Sequence, residues 1–251
     1  MIAFFRIIIV FIVFLLITTG ACIFSLFRLR STNNVYYTSL FMGRVSKLLG
    51  LDIEVRIPDE VKKLGSAVYV ANHQNTYDIF TISAAVRPHT VSVGKKSLQW
   101  IPFFGPMYKM TGNILIDRKN TSKAMDTIAI TAKNIKEKNM SVWLFPEGTR
   151  SNGHGLQPFK TGAFRTAAIA NVPIVPICLS NIHNKIKLNR WNNGKLIIEF
   201  LPPIYITDAN RDNIRKLTNE THDQMLEKIN QISIETGEPY PPYKKIVKKK
   251  K

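Results

Sequence analysis

The heptapeptide Asn72-His73-Gln74-Asn75-Thr76-Tyr77-Asp78 sets a carboxylate five positions after an imidazole. A histidine and an acid are the usual parts of a general base and the group that orients it. A regular helix turns about 100° per residue, so an offset of five would hold the two side chains roughly 140° apart. They can meet only across a break. Ser66-Ala67-Val68-Tyr69-Val70 reads as a buried strand, Asn72 to Asn75 is turn-forming, and an apolar helical run starts near Thr76. With His73 on that turn and Asp78 in the first helical turns, the carboxylate reaches back to the imidazole, fixes its tautomer and stabilises the imidazolium. Taken alone, the same residues read more readily as a helix cap beside a surface hydrogen bond.

Three further blocks follow in order. Gly112-Asn113-Ile114-Leu115-Ile116-Asp117-Arg118 is an apolar strand ending in an acid and an arginine. At a strand end, Arg118 can grip a phosphate with two parallel charge-assisted hydrogen bonds; in isolation it is a surface Asp-Arg turn. Phe145-Pro146-Glu147-Gly148-Thr149-Arg150 stops a buried strand with proline, then places glycine between an acceptor carboxylate and a guanidinium. Such a turn suits a phosphorylated polyol, with Arg150 and Thr149 toward phosphate and Glu147 toward hydroxyls or toward Arg150. Val172-Pro173-Ile174-Val175-Pro176-Ile177 reads as a buried strand whose prolines deny ladder donors, which predicts a sheet edge or a strand start. Its apolar surface suits an acyl chain, or simply packing.

Other patterns carry less. Gly155-Leu156-Gln157-Pro158-Phe159-Lys160-Thr161 lacks the glycine a phosphate-binding P-loop needs before its lysine, and Pro158 interrupts the nest. His89, His154 and His183 show no metal-ligand spacing, and no Gly-x-Ser-x-Gly elbow exists for a serine ester. His222-Asp223 reads as an exposed pair without chemistry.

The elements that must hold these residues alternate. Strands are predicted at Ile53–Arg56, Ala67–Val70, Thr90–Val93, Asn113–Ile116, Val142–Phe145, Ile174–Leu179 and Leu196–Leu201, with helices at Thr76–Val86, Thr121–Lys138, Ala163–Ala170 and Asn213–Glu235. Alternation of this kind implies an α/β fold, a largely parallel sheet flanked by helices, with ligands at the carboxyl ends of the strands. No Gly/Ser-rich or Pro-rich linker divides the chain, so one α/β domain over 52–237 is expected, between an N-terminal helical region, 1–51, and a basic tail, 238–251.

A net charge of +18, from 35 basic and 17 acidic side chains, points to a polyanionic partner, nucleic acid or an anionic lipid surface. The N-terminus chooses membrane. Ile7 to Phe27 carries no charge, and its 21 residues would span roughly 30 Å as a helix, about one hydrocarbon core. Thr19-Gly20-Ala21-Cys22 faintly resembles a lipoprotein processing site, yet the apolar run continues past it. Arg28, Arg30, Arg44 and Lys47 follow the run against Arg6 before it, which places the body in the cytoplasm at the inner membrane. Cys22 and Cys178 suggest no disulfide framework. Val35 to Leu51 is a second amphipathic stretch, so a helical hairpin dipped into one leaflet stands beside a true span. The tail from Lys244 to Lys251 reads as disordered, either attracting anionic headgroups or simply solvated.

In this order and spacing the four blocks resemble the glycerolipid acyltransferases, a likeness that runs from the N-terminal apolar segment to about Pro203. It includes Gly94-Lys95-Lys96-Ser97-Leu98-Gln99-Trp100-Ile101-Pro102-Phe103-Phe104-Gly105 and Pro158-Phe159-Lys160-Thr161-Gly162-Ala163-Phe164. The resemblance implies that His73 is the general base and Asp78 its partner. It implies that Arg118, Glu147, Gly148 and Arg150 hold the acyl acceptor, with Lys95 a further cation for its phosphate and the fourth block, Pro173 and Pro176, near the acyl donor. The implied reaction moves an acyl group from the thioester of acyl carrier protein or acyl-CoA to the sn-2 hydroxyl of lysophosphatidic acid. Glycerol 3-phosphate or another lysophospholipid is the alternative acceptor, and a non-catalytic membrane-tethered binding module the distant one. No cofactor, metal or nucleic acid enters the scheme, and membrane lipids are the partner surface.

Overall fold

Burial with a period of two builds the central sheet. Val68 and Val70 face one layer while Ala67, Tyr69 and Ala71 face the other, and Ile197 opposes Leu196, Ile198 and Phe200 in the same way. The computed structural model describes residues 1–29, 31–117, 121–207 and 212–246, and of residues 121–124 the backbone only. Among the described residues there are seven strands: β1 (Leu51–Arg56), β2 (Val68–Ala71), β3 (Thr90–Lys95), β4 (Ile114–Ile116), β5 (Ser141–Leu144), β6 (Ile174–Leu179) and β7 (Gly194–Phe200). They lie in the order β1-β7-β6-β2-β5-β3-β4. The run from β6 to β4 is parallel; β7 is antiparallel to β6, and β1 is parallel to β7. The carboxyl ends of β2, β5, β3 and β4 therefore stand side by side.

The helices are α1 (Ile2–Phe27), α2 (Asn34–Leu48), α3 (Asp59–Lys62), α4 (Asp78–Thr81), α5 (Phe104–Met110), α6 (Thr121–Lys138), α7 (Gly162–Ala170) and α8 (Ile214–Glu235), with 3₁₀ turns at Ile82–Ala85 and Lys96–Trp100. One face of the sheet is covered by α6, α7 and α8 through Ala132, Ile135, Phe164, Met225, Ile229 and Ile232. The other is covered by Val61, Ile82 and Ala85.

Two expectations need correction. The helix predicted over Thr76–Val86 is only four residues of α-helix from Asp78, followed by 3₁₀. Side chains compete with its ladder: Asn75 Oδ1 accepts the Tyr77 N–H at 2.8 Å, and the Ser83 hydroxyl donates to the Ile79 carbonyl at 2.7 Å. Of the two placements expected for the prolines, the strand start holds for Pro173, directly before Ile174, whereas the edge does not: β6 lies between β2 and β7. Alternate residues of β6 face β2, and Pro176 belongs to the other set, with Ile174. On that side Ile174 pairs with Ile204, while the Pro176 carbonyl accepts from Leu201 N–H. The missing donor thus falls where β7 has already ended at Phe200.

Helix α1 does not stand away from the body but lies along it. Near its start the buried Arg6 guanidinium donates to the carbonyls of Leu188 (2.9 Å) and Arg190 (2.6 Å) and, more weakly, Lys187 and Trp191. In its middle Phe14 packs edge-on to Phe80 and stacks on Phe104. Farther on, Ala21 and Cys22 join Met42, Val45 and Leu49 of the α2 region in one cluster. The opposite face, with Phe4, Phe5, Phe11, Ile12 and Leu16, is exposed.

Arg118, and the tail beyond Ile246, lie outside the described residues. Among the described residues the C-terminal run packs on the body: Tyr240 is buried, the Pro239 carbonyl accepts from Asn181, and Lys244 N–H donates to the His154 carbonyl at 2.8 Å. The sequence suggests disorder from Lys244 onward, and at Lys244 itself this bond replaces it. The Pro-Tyr-Pro-Pro-Tyr run over 239–243 is laid against the loop after β5.

Candidate active site

Strand β2 ends at Ala71, and Asn72 anchors the turn that follows by a paired backbone contact, donating to the Leu179 carbonyl and accepting Leu179 N–H. Gln74 is buried two residues on, donating to the Ser180 carbonyl and accepting Ile182 N–H. His73, between these two fixed amides, turns its ring outward, with its side chain 19% exposed. Its Nδ1 lies 2.5 Å from Asp78 Oδ2, and the same oxygen accepts the N–H groups of Gln74 (2.7 Å) and Asn75 (3.2 Å). The carboxylate thus holds both the ring and the loop that carries it. With Nδ1–H donating inward, the Nε2 lone pair is left on the outer edge of the ring, the tautomer a base needs. Phe145 stacks on the imidazole at 4.1 Å and closes one of its faces.

The turn after β5 is fastened to the turn after β2. Glu147 is 3% exposed; Oε1 accepts His73 N–H at 2.6 Å and Oε2 accepts Gln157 N–H at 2.9 Å. Burial pushes this carboxyl up to about 8, against the pull of those two N–H groups and with the help of the Asp78 charge. Each of its two oxygens thus accepts a backbone N–H group. Gly148 holds φ +69, and a Cβ there would come within 2.9 Å of Lys160 Nζ. Ser151 N–H then donates to the His73 carbonyl and Asn152 N–H to that of Gln74. Tyr240, from the C-terminal run, is buried among Asn72, Ser151 and Glu147, and burial pushes its phenol up.

Other candidates fall around this centre. Arg150 is exposed and Thr149 half-buried just past Gly148. Lys95 ends β3, opposite Ile116 of β4, exposed on the same carboxyl edge. Adjacent strands lie about 4.8 Å apart, so the edge carries His73, the Gly148 turn and Lys95 in sequence over roughly 10 Å. Pro173 and Pro176 do not join them. Pro173 sits at the amino end of β6, where its carbonyl accepts Val68 N–H, and Pro176 is buried opposite Val70 within the ladder. Lys160, which the sequence reading includes in the resemblance without giving it a role, lies beside the turn, its Nζ 2.9 Å from where a Cβ on Gly148 would sit. A lysine shortly after a glycine-rich turn was the available signal.

A carboxylate-held imidazole and exposed cations along one parallel sheet edge are the parts of a group-transfer site in an α/β protein. The sequence model described as Acyltransferase matches residues 52–180. The 1-acyl-sn-glycerol-3-phosphate acyltransferase of Haemophilus influenzae is 49% identical over 230 residues, which cover 92% of this chain and 96% of that one. That of Escherichia coli K12 is 47% identical over 234 residues, 93% and 96% of the two chains. Among solved structures, the 1-acyl-sn-glycerophosphate (LPA) acyltransferase of Thermotoga maritima shares the fold with a TM-score of 0.64 at 21% identity, over 90% of this chain and 97% of that one. The chain belongs to the acyltransferase family and is an acyltransferase enzyme.

Proposed function

We propose that this enzyme transfers an acyl group to the sn-2 hydroxyl of 1-acyl-sn-glycerol 3-phosphate, giving phosphatidic acid. The observation that carries the mechanism is the His73 Nδ1 to Asp78 Oδ2 contact of 2.5 Å on the outer turn of β2. His73 Nε2 takes the hydroxyl proton as that oxygen attacks the thioester carbonyl. The tetrahedral intermediate then collapses, the C–S bond breaks, and the imidazolium returns its proton to the departing thiolate. Asp78 stabilises the imidazolium throughout and keeps the ring in place. General-base assistance of this type supplies on the order of 100- to 10,000-fold.

Lys95, Arg118, Thr149 and Arg150 hold the acceptor phosphate, and Gly148 lets the ligand approach the backbone of the turn. Glu147 serves this site by fixing the His73 backbone. The acyl donor is acyl carrier protein or acyl-CoA, and the thioester reaction as written balances without a metal or cofactor. Helix α1 is the membrane anchor, lying in one leaflet with its exposed face toward lipid, since contacts to the body run from Arg6 to Cys22. The body lies on the cytoplasmic side of the inner membrane, as the basic residues that follow the apolar run favour.

Thiol release by purified His73→Ala enzyme tests the reading, with both donors and a panel of lysophosphatidic acid, glycerol 3-phosphate and neutral lysophospholipids. Wild type should prefer lysophosphatidic acid, and the variant should lose turnover while still sedimenting with vesicles. Wild-type turnover in the variant removes the base assignment, and preference for another acceptor removes the substrate.

A further inference from the structure

The turn after β3 displays an apolar surface to which the proposed chemistry assigns no role. Trp100, Ile101 and Phe103 are 79%, 45% and 52% exposed, and Pro102 between them is exposed as well. Four consecutive apolar residues in water form the kind of patch that marks a contact site. This segment is not slack chain. Gly105 N–H donates to the Ile101 carbonyl at 2.7 Å and Phe104 N–H to the Pro102 carbonyl at 2.6 Å. A Cβ on Gly105 would lie 2.2 Å from the Gln99 carbonyl oxygen, so the loop closes over a residue that has none. Phe103 is held at φ 60 and ψ −48, a region that bulky L-residues avoid. Strain of this sort persists where the surrounding structure enforces it, and it gathers at functional positions. Here it turns three large apolar side chains outward.

What they meet is indicated by their neighbours. Phe104, the next residue, stacks on Phe14 on the body-facing side of α1 with ring centroids 6.5 Å apart, so the loop tip is fixed beside the helix whose other face is apolar and exposed. Lys95, Lys96 and Lys109 are exposed around it. Aromatic and aliphatic residues ringed by lysines match the interface between hydrocarbon and anionic headgroups.

We propose that Trp100–Phe103 is a second membrane-contact element, seated in a bilayer containing anionic lipid. Together α1 and this loop fix the depth and tilt of the protein. Lys95 precedes the 3₁₀ turn directly, so seating the loop holds the end of β3 at headgroup level, where the phosphate of a membrane-resident acceptor lies. The proposal rests on the reading of α1 as a lipid-facing anchor, and the experiment separates the two.

The three tryptophans are Trp100, the buried Trp143 and Trp191, which is 76% exposed in another loop. In full-length Trp191→Phe enzyme, Trp100 is the accessible fluorophore and Trp143 a constant background. On phosphatidylglycerol vesicles brominated in their acyl chains, emission should shift to the blue and lose the Trp100 component. Adding Trp100→Ala should leave only the background and weaken vesicle partitioning roughly tenfold, equivalent to about 1.4 kcal/mol. Protein that sediments with vesicles while Trp100 stays unquenched keeps the anchor and overturns the loop proposal. Failure to sediment at all overturns both. A Trp100 response to acidic acyl carrier protein, and none to brominated lipid, assigns the loop to that partner and likewise overturns the proposal.

Discussion

Each oxygen of Glu147 accepts one backbone N–H, from His73 and from Gln157, so the side chain ties the base-bearing turn to the turn after β5. An amide of the same shape cannot repeat this, because its NH₂ must face one of those donors. Glu147→Gln should therefore cost about 1–3 kcal/mol of stability for the unsatisfied group and lower kcat with little change in the KM for acceptor. A raised acceptor KM with unchanged kcat would instead make Glu147 a ligand of the substrate. The pH dependence follows from the raised carboxyl. Folded chain binds more protons here than unfolded chain between 4.5 and about 8. Its contribution to stability is therefore full below 4.5 and declines as pH rises toward 8. Urea titrations across this range should show the difference between wild type and variant narrowing as pH rises; a constant difference would contradict the assignment. The His73 and Asp78 partnership was legible because it spans a single turn and both partners are side chains. The work of Glu147 was not, since its partners are main-chain groups that no letter of the sequence distinguishes.

At the scale of elements, strands were read to within a few residues because both faces of the sheet are buried and each run is rich in β-branched residues. Short pieces such as α3 and α5 escaped notice, being too brief to show a period. The apolar character of α1 was plain, its placement was not. Arg6 counts in the sequence as a charge flanking an apolar run, yet in the structure it is buried against the carbonyls of Lys187, Leu188, Arg190 and Trp191. Arg6→Met keeps the apolar stem and removes the donors. It should cost roughly 1.5–3 kcal/mol, the range for hydrogen bonds to a charged group, and speed amide exchange through the 187–194 loop, measured by mass spectrometry. Unchanged protection there would mean that α1 is held by its apolar face alone.

At the scale of the whole molecule, two physically different forces act toward a membrane and salt separates them. The chain carries a formal charge of +18, while the outer face of α1 is apolar over most of its length. Attraction of basic residues to anionic headgroups is worth about 1 kcal/mol each near the surface and falls off within a Debye length. That length shrinks from about 30 Å at 0.01 M to about 3 Å at 1 M ionic strength. Burial of apolar area, by contrast, is not screened. Partitioning onto phosphatidylglycerol vesicles should therefore fall steeply as salt is added, then level off at the value found for neutral phosphatidylcholine vesicles at any salt. A curve that falls to zero would show that α1 does not enter the hydrocarbon, and attachment would be electrostatic only. A flat curve would show that the basic surface faces elsewhere, leaving it free to receive an acidic donor protein while α1 alone holds the enzyme to its substrate.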